Sequence, residues 1–144
     1  MATRTANDLY KYDKEYHGLE LSTWVTRIHQ YMSRALGWKV IQLKCGSFGY
    51  DNLAVSIANI MRKTRDYSDI YHMAELAHAG WIRNYTYWRD HKPYLNSDKY
   101  TKPGKALGDK RRNELAKTSY SELPDDERRQ NLLIATFIKN HLKS

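Results

Sequence analysis

The sequence predicts a mainly α, compact helical domain with a long loop and at most a small strand or hairpin. Three observations lead there. Several stretches carry apolar residues at helical spacing, bounded by capping and stopping residues. A single stretch alternates as a strand does, and one strand cannot pair with itself. The lone cysteine, Cys45, excludes an internal disulfide framework, and 144 residues are enough to build a hydrophobic core without one.

Residues 1–17 are polar with scattered tyrosines and read as an N-terminal arm, docked through Tyr10, Tyr12 and Tyr16 if it is ordered. The first helix is "STWVTRIHQYMSRALG". Ser22 is placed as its N-cap and Gly37 as its stop, with Trp24, Ile28, Tyr31, Met32, Ala35 and Leu36 at helical spacing. In "WKVIQLKCG", Ile41, Leu43 and Cys45 alternate with Gln42 and Lys44, which predicts a short strand needing a partner. After the turn-rich "GSFGYDN", Asp51 is expected to cap "NLAVSIANIMRK", whose Leu53, Ile57, Ile60 and Met61 share a face. Ser68 is expected to cap "DIYHMAELAHAGWIRNYTYW", with Ile70, Met73, Gly80 and Trp81 turned inward.

From about Arg89 to Ala106 the chain reads as a loop holding Pro93, Pro103 and Gly104. The last helix opens at Pro124, with Asp125, Asp126 and Glu127 at the positive end of its dipole. Leu133, Ile134, Phe137 and Ile138 form its buried stripe, and Lys139, His141 and Lys143 stand at its negative end. This divides the chain into an arm (1–17), a helical N-terminal extension (18–70) and a helical module (71–144).

Twenty-four Lys and Arg against sixteen Asp and Glu give a formal charge of +8, which favours a phosphorylated or polyanionic partner. No apolar run is long enough to span a bilayer, so no membrane association is expected. The N-terminus lacks the apolar run of a signal peptide. With the single thiol this indicates a cytoplasmic protein, or one in the virion or host cytoplasm if viral.

Enzymatic motifs are missing. "HMAELAH" spaces its histidines six apart, not the four of a zinc-protease helix. There is no nucleophile elbow and no Walker loop. Cys45 reads as a buried structural thiol and the carboxylates as capping charges. The expectation is no catalysis, no metal and no cofactor. "CGSFGYDN" reads as an ordinary capped turn, since Asp51 would oppose a bound phosphate there.

"HAGWIRNYTYWRDHKPY" is the most aromatic and basic stretch of the chain. Rings interleaved with arginine can hold a nucleobase beside its phosphates. Tyr85, Trp88, Arg89 and Tyr94 are the expected stacking surface. Arg111 and Arg112 in "KYTKPGKALGDKRRNELAK" are the expected phosphate partners, although acidic residues in that stretch suit a solvated surface equally well.

In "YSELPDDERRQN", Tyr120, Leu123, Pro124, Glu127, Arg128 and Asn131 resemble the second half of the ryanodine-receptor-type repeat, or RyR domain. Upstream, "AHAGW" resembles that family's first-helix motif through His78 and Trp81. The resemblance covers about residues 73–142. The chain departs from the family in lacking a Gly-Trp-x-Tyr-Gly segment and in carrying Arg112-Asn113 where a His-Pro pair is usual. The resemblance implies a compact helical module, found in calcium-release channels and as small domains of bacteria, phages and large DNA viruses. It also implies binding of nucleotide-derived ligands. His78, Trp81, Tyr120, Leu123, Pro124 and Glu127 would then be structural, with Trp81 packed near the turn into the last helix.

The resulting expectation is a non-enzymatic module for a nucleotide-derived or phosphorylated small ligand. The alternative is a structural or interaction protein of a virion or other large assembly, with protein partners or copies of itself. Nucleic-acid binding stands lowest, because only charge supports it.

Overall fold

The computed structural model describes residues 14–44, 48–90 and 105–143, apart from the side chains of residues 48, 88–90, 105–109 and 143. These residues form a two-stranded hairpin and five α-helices, as a mainly α chain should. Strands β1 (Glu15–Tyr16) and β2 (Leu19–Glu20) pair antiparallel, with Tyr16 opposite Leu19. Their turn places His17 at φ 51 and Gly18 at φ 81, so the two-residue loop has the left-handed backbone a tight hairpin needs.

The hairpin leads directly into helix α1 (Leu21–Leu36). The expected Ser22 cap is not used. Glu20 holds the N-cap position without a side-chain bond, and the N–H of Leu21 is satisfied by the Lys14 carbonyl at 2.7 Å. A backbone contact from the hairpin therefore sets the start. Gly37 does stop the helix: at φ 72 it lets its own N–H and that of Trp38 reach the Ser33 carbonyl.

The predicted strand is not formed. Residues 38–44 are irregular and pair with neither strand of the hairpin. Cys45 lies outside the described residues. Helix α2 (Phe48–Lys63) begins three residues before Asp51, which is a buried first-turn acid and not the cap. Helix α3 (Ile70–Asp90) is capped by Asp69, whose carboxylate accepts the N–H groups of Tyr71 and His72, both at 3.1 Å. Ser68 precedes that cap, with its own N–H on Asp66.

The loop expected from Arg89 to Ala106 is overlapped by helix at both ends, and residues 91–104 lie outside the described residues. Helix α3 runs on to Asp90, and helix α4 (Lys105–Ala116) begins at Lys105. Helix α4 is unexpected because half of its residues are charged and it has almost no apolar rhythm; among its described side chains Leu115 is buried. A short 3₁₀ turn (Tyr120–Glu122) follows, then helix α5 (Asp125–Lys143). Pro124 stands one residue outside α5, and its carbonyl accepts the N–H of Arg128.

Helices α1, α2, α3 and α5 form a ring in which each packs on two neighbours, while α4 lies against α3. Trp24, Val25, Ile28, Ile57, Ile60, Met73 and Ile138 fill the shared core, which draws on both halves of the chain. Each such aliphatic side chain stabilises the fold by roughly 1.5–3 kcal/mol through burial. The most extensive interface joins α2 to α3. There Asn52, Ser56 and Asn59 meet Asn84, the Ala77 carbonyl and the Leu76 carbonyl at 2.6, 2.8 and 2.6 Å. Positions rise along α2 as they fall along α3, so the two helices are antiparallel. On the other side, Trp24 meets Phe137 and His141 edge-on, and Arg129 reaches the Ala35 carbonyl at the end of α1.

Candidate binding site

One face of α3 carries His78, Trp81 and Tyr85 at spacings of three and four, so their side chains lie one above another. The Trp81 and Tyr85 rings are parallel within 1° at 5.2 Å, and His78 lies within 10° of parallel to Trp81 at 6.0 Å. Both ends of the stack are tied to other elements. Tyr85 donates its hydroxyl to Asn113 Oδ1 of α4 at 2.9 Å. His78 Nε2 lies 2.7 Å from the Thr118 carbonyl, which can only accept, so Nε2 carries the proton. Burial lowers the pKa of His78. The carbonyls of Thr118 and Leu115 and the carboxylate of Glu127 act the other way but are outweighed. The ring is therefore neutral at neutral pH.

Beside this stack lies a cavity of about 280 Å³. It is lined by His29 and Met32 of α1, Trp38 and Leu43 of the irregular segment, and Asn52, Leu53 and Ser56 of α2. His78 and Trp81 of α3, Leu115 of α4, Leu123, and Glu127, Gln130, Asn131 and Ile134 of α5 line it too. Every helix contributes to it. The walls are largely apolar, with amide groups and imidazoles set among them. Glu127 is the one carboxylate among the described lining residues, and none of them is Lys or Arg. Arg111 stands nearby, 3.0 Å from Asp126 and 3.3 Å from Glu127. The Nδ1 atom of His29 is buried without a hydrogen-bond partner among the described residues.

The expected site residues separate in this geometry. Tyr85 is only 2% exposed and bonded to Asn113, so it is not an open stacking surface; its ring is needed to hold α4 on α3. Trp81, expected as an inward anchor, is half-buried and lines the cavity. Leu123, at the turn into the last helix, lines the same cavity. Arg111 is bound to two carboxylates, and Arg112 is half-buried on the same helix. Tyr120 packs against the core, and Pro124 is exposed. The side chains of Trp88 and Arg89, and all of Tyr94, lie outside the described residues.

Sequence reasoning missed the contribution of residues 18–70. A signal was present: Asn52, Ser56 and Asn59 lie at spacings of four and three on the inward face of α2, and His29 stands next to the buried Ile28. Polar groups on a buried face need partners, and here they mark the α3 interface and the cavity.

No protein-family model, curated protein or solved structure matches the chain. Among the described residues, no helix is long and apolar enough to cross a membrane, and no cluster of three or more His, Cys, Asp or Glu could hold a metal ion.

Proposed function

We propose that this chain is a non-enzymatic binding module whose cavity holds the flat ring of a nucleotide-derived ligand. The observation that carries this reading is the composition of the cavity wall. Trp38 offers indole surface and Trp81 lines the cavity from the middle of the ring stack, while Asn52, Gln130 and Asn131 bear amides that can both donate and accept. Stacking on an aromatic side chain is worth roughly 1–3 kcal/mol per base. Ligand sites commonly run from about 300 to 1,000 Å³, so this cavity suits one ring system and not a whole dinucleotide. Any phosphates would stay outside, because none of the described lining residues is Lys or Arg. His78, Trp81, Leu123 and Glu127, which belong to the RyR-type motifs, all line this cavity.

Thermal shift and calorimetry with adenosine, guanosine, cytidine, their phosphates and NAD derivatives test the reading. A ligand at a hundred times its dissociation constant stabilises by about 2.7 kcal/mol, and Trp81→Ala should remove the response from a chain that still folds. A flat response to all of these at millimolar concentration overturns it.

A second reading, an interaction protein of a larger assembly, is supported by three exposed apolar side chains on the irregular segment. Trp38, Val40 and Ile41 are 42%, 49% and 51% exposed. Light scattering over a hundredfold concentration range tests self-association. A strict monomer throughout leaves that reading without its homo-oligomeric form.

A further inference from the structure

We propose, on the basis of the binding reading above, that the cavity selects a planar group edged with N–H donors, neutral or cationic, and rejects an anionic one. The argument begins with the charges at one corner. A single guanidinium, Arg111, serves two carboxylates, Asp126 and Glu127, leaving one negative charge over. The Arg111 side chain is 54% exposed and that of Asp126 64%, whereas Glu127 is 24% exposed. Exposed pairs of this kind hold weakly, about 0–1 kcal/mol. The carboxylate that lines the cavity is thus the better sheltered of the two and is loosely held from outside.

Inside, an ionised carboxylate can only accept hydrogen bonds. His29 Nδ1 is a buried polar atom without a partner among the described residues, and in the Nε2–H tautomer it would accept as well. The partly exposed Trp38 indole attracts positive charge to its face, whereas the Trp81 ring is already stacked between His78 and Tyr85. A group bearing N–H donors satisfies all of these features. An anionic group would face Glu127 in a largely apolar space, with no Lys or Arg among the described lining residues to offset its desolvation and with Arg111 already held by Asp126 and Glu127.

Benzamidine, benzamide and benzoate share one flat shape and carry charges of +1, 0 and −1 near neutral pH, so they isolate the effect of charge. Calorimetry and thermal shift on the full chain should rank them benzamidine, then benzamide, with benzoate silent. Two variants should move benzamidine in opposite directions, which general destabilisation cannot do. Glu127→Gln should weaken it by about tenfold, the worth of one charged hydrogen bond. Arg111→Gln, at an exposed side chain, should strengthen it by freeing Glu127. Benzoate binding as tightly as benzamidine overturns charge selection and leaves the binding reading standing. Charge selection is equally overturned if both variants leave the order and affinities unchanged, or if all three probes are silent while a nucleoside binds. Silence from these probes and from every nucleoside and nucleotide removes the binding reading, and this inference with it.

Discussion

Replacing Gly80 by alanine tests how closely α2 and α3 approach. A Cβ at this position would lie 2.8 Å from the Val55 carbonyl oxygen, 3.1 Å from Asn59 Cβ and 3.2 Å from Ser56 Cα. Two of these atoms are backbone, so no side-chain rotation relieves the contact; the helices have to separate. Separation strains the Ser56 and Asn59 hydrogen bonds to the α3 carbonyls, each worth about 0.5–1.5 kcal/mol. Overpacking a core costs roughly 1–3 kcal/mol by itself. Against this, alanine gains only about 0.5–1 kcal/mol over glycine in a helix interior. The net should be a loss of about 1–3 kcal/mol, or roughly 3–10 °C in Tm for a domain of this size. Gly49 in the first turn of α2 supplies the contrast. A Cβ there meets only Leu43 Cδ2, at an ordinary 3.6 Å, so Gly49→Ala should be neutral or stabilising by up to about 1 kcal/mol. Urea unfolding of the two variants beside the parent reads the difference. If Gly80→Ala is as stable as Gly49→Ala, the close approach of α2 and α3 is refuted.

Other consequences of the geometry are open to measurement. Because burial holds the folded pKa of His78 below its ordinary 6.5, its neutral form contributes stability that is present above that value and lost as pH falls through the folded pKa. The parent should therefore lose urea resistance on acidification more steeply than His78→Gln, and parallel pH profiles would contradict this. Tyr85→Phe removes the hydroxyl that reaches Asn113 and should cost about 0.5–1.5 kcal/mol. Hydrogen exchange should rise most in α4; an unchanged α4 would mean that this bond does not anchor it. Trp24 Nε1 donates to the Tyr16 carbonyl at 3.0 Å in a buried setting, so Trp24→Phe strands an acceptor at a cost of about 1–3 kcal/mol. Exchange at residues 15–20 should then speed up, and unaltered protection there would count against the tie.

The helices were legible where apolar spacing and stop signals agreed. The stripe of α5, its acidic first turn and the stop at Gly37 all follow from local chemistry, because helix ends and amphipathic faces depend on residues within a few positions of one another. Starting points were less legible. Ser22 and Asp51 are good capping residues in principle. In α1, however, the Lys14 carbonyl satisfies Leu21, and α2 begins before Asp51. Helix α4 was hidden because a charged helix has no apolar rhythm to read.

The aromatic run shows the same division within the candidate site. Its helical spacing already placed His78, Trp81 and Tyr85 on one face. Which ring is enclosed and which borders open space depends on what covers that face, and α4 and the Thr118 carbonyl are supplied from more than twenty-five residues away. Tyr85 is enclosed because Asn113 meets it; Trp81 borders the cavity because His29, Asn52 and Glu127 surround a gap beside it. By itself the sequence determined the helical class, the faces that turn inward and the positions of several helix ends, since these are short-range properties. The cavity, its single carboxylate and the neutral state of His78 were decided only by tertiary packing, because each depends on groups that the folded chain alone brings together.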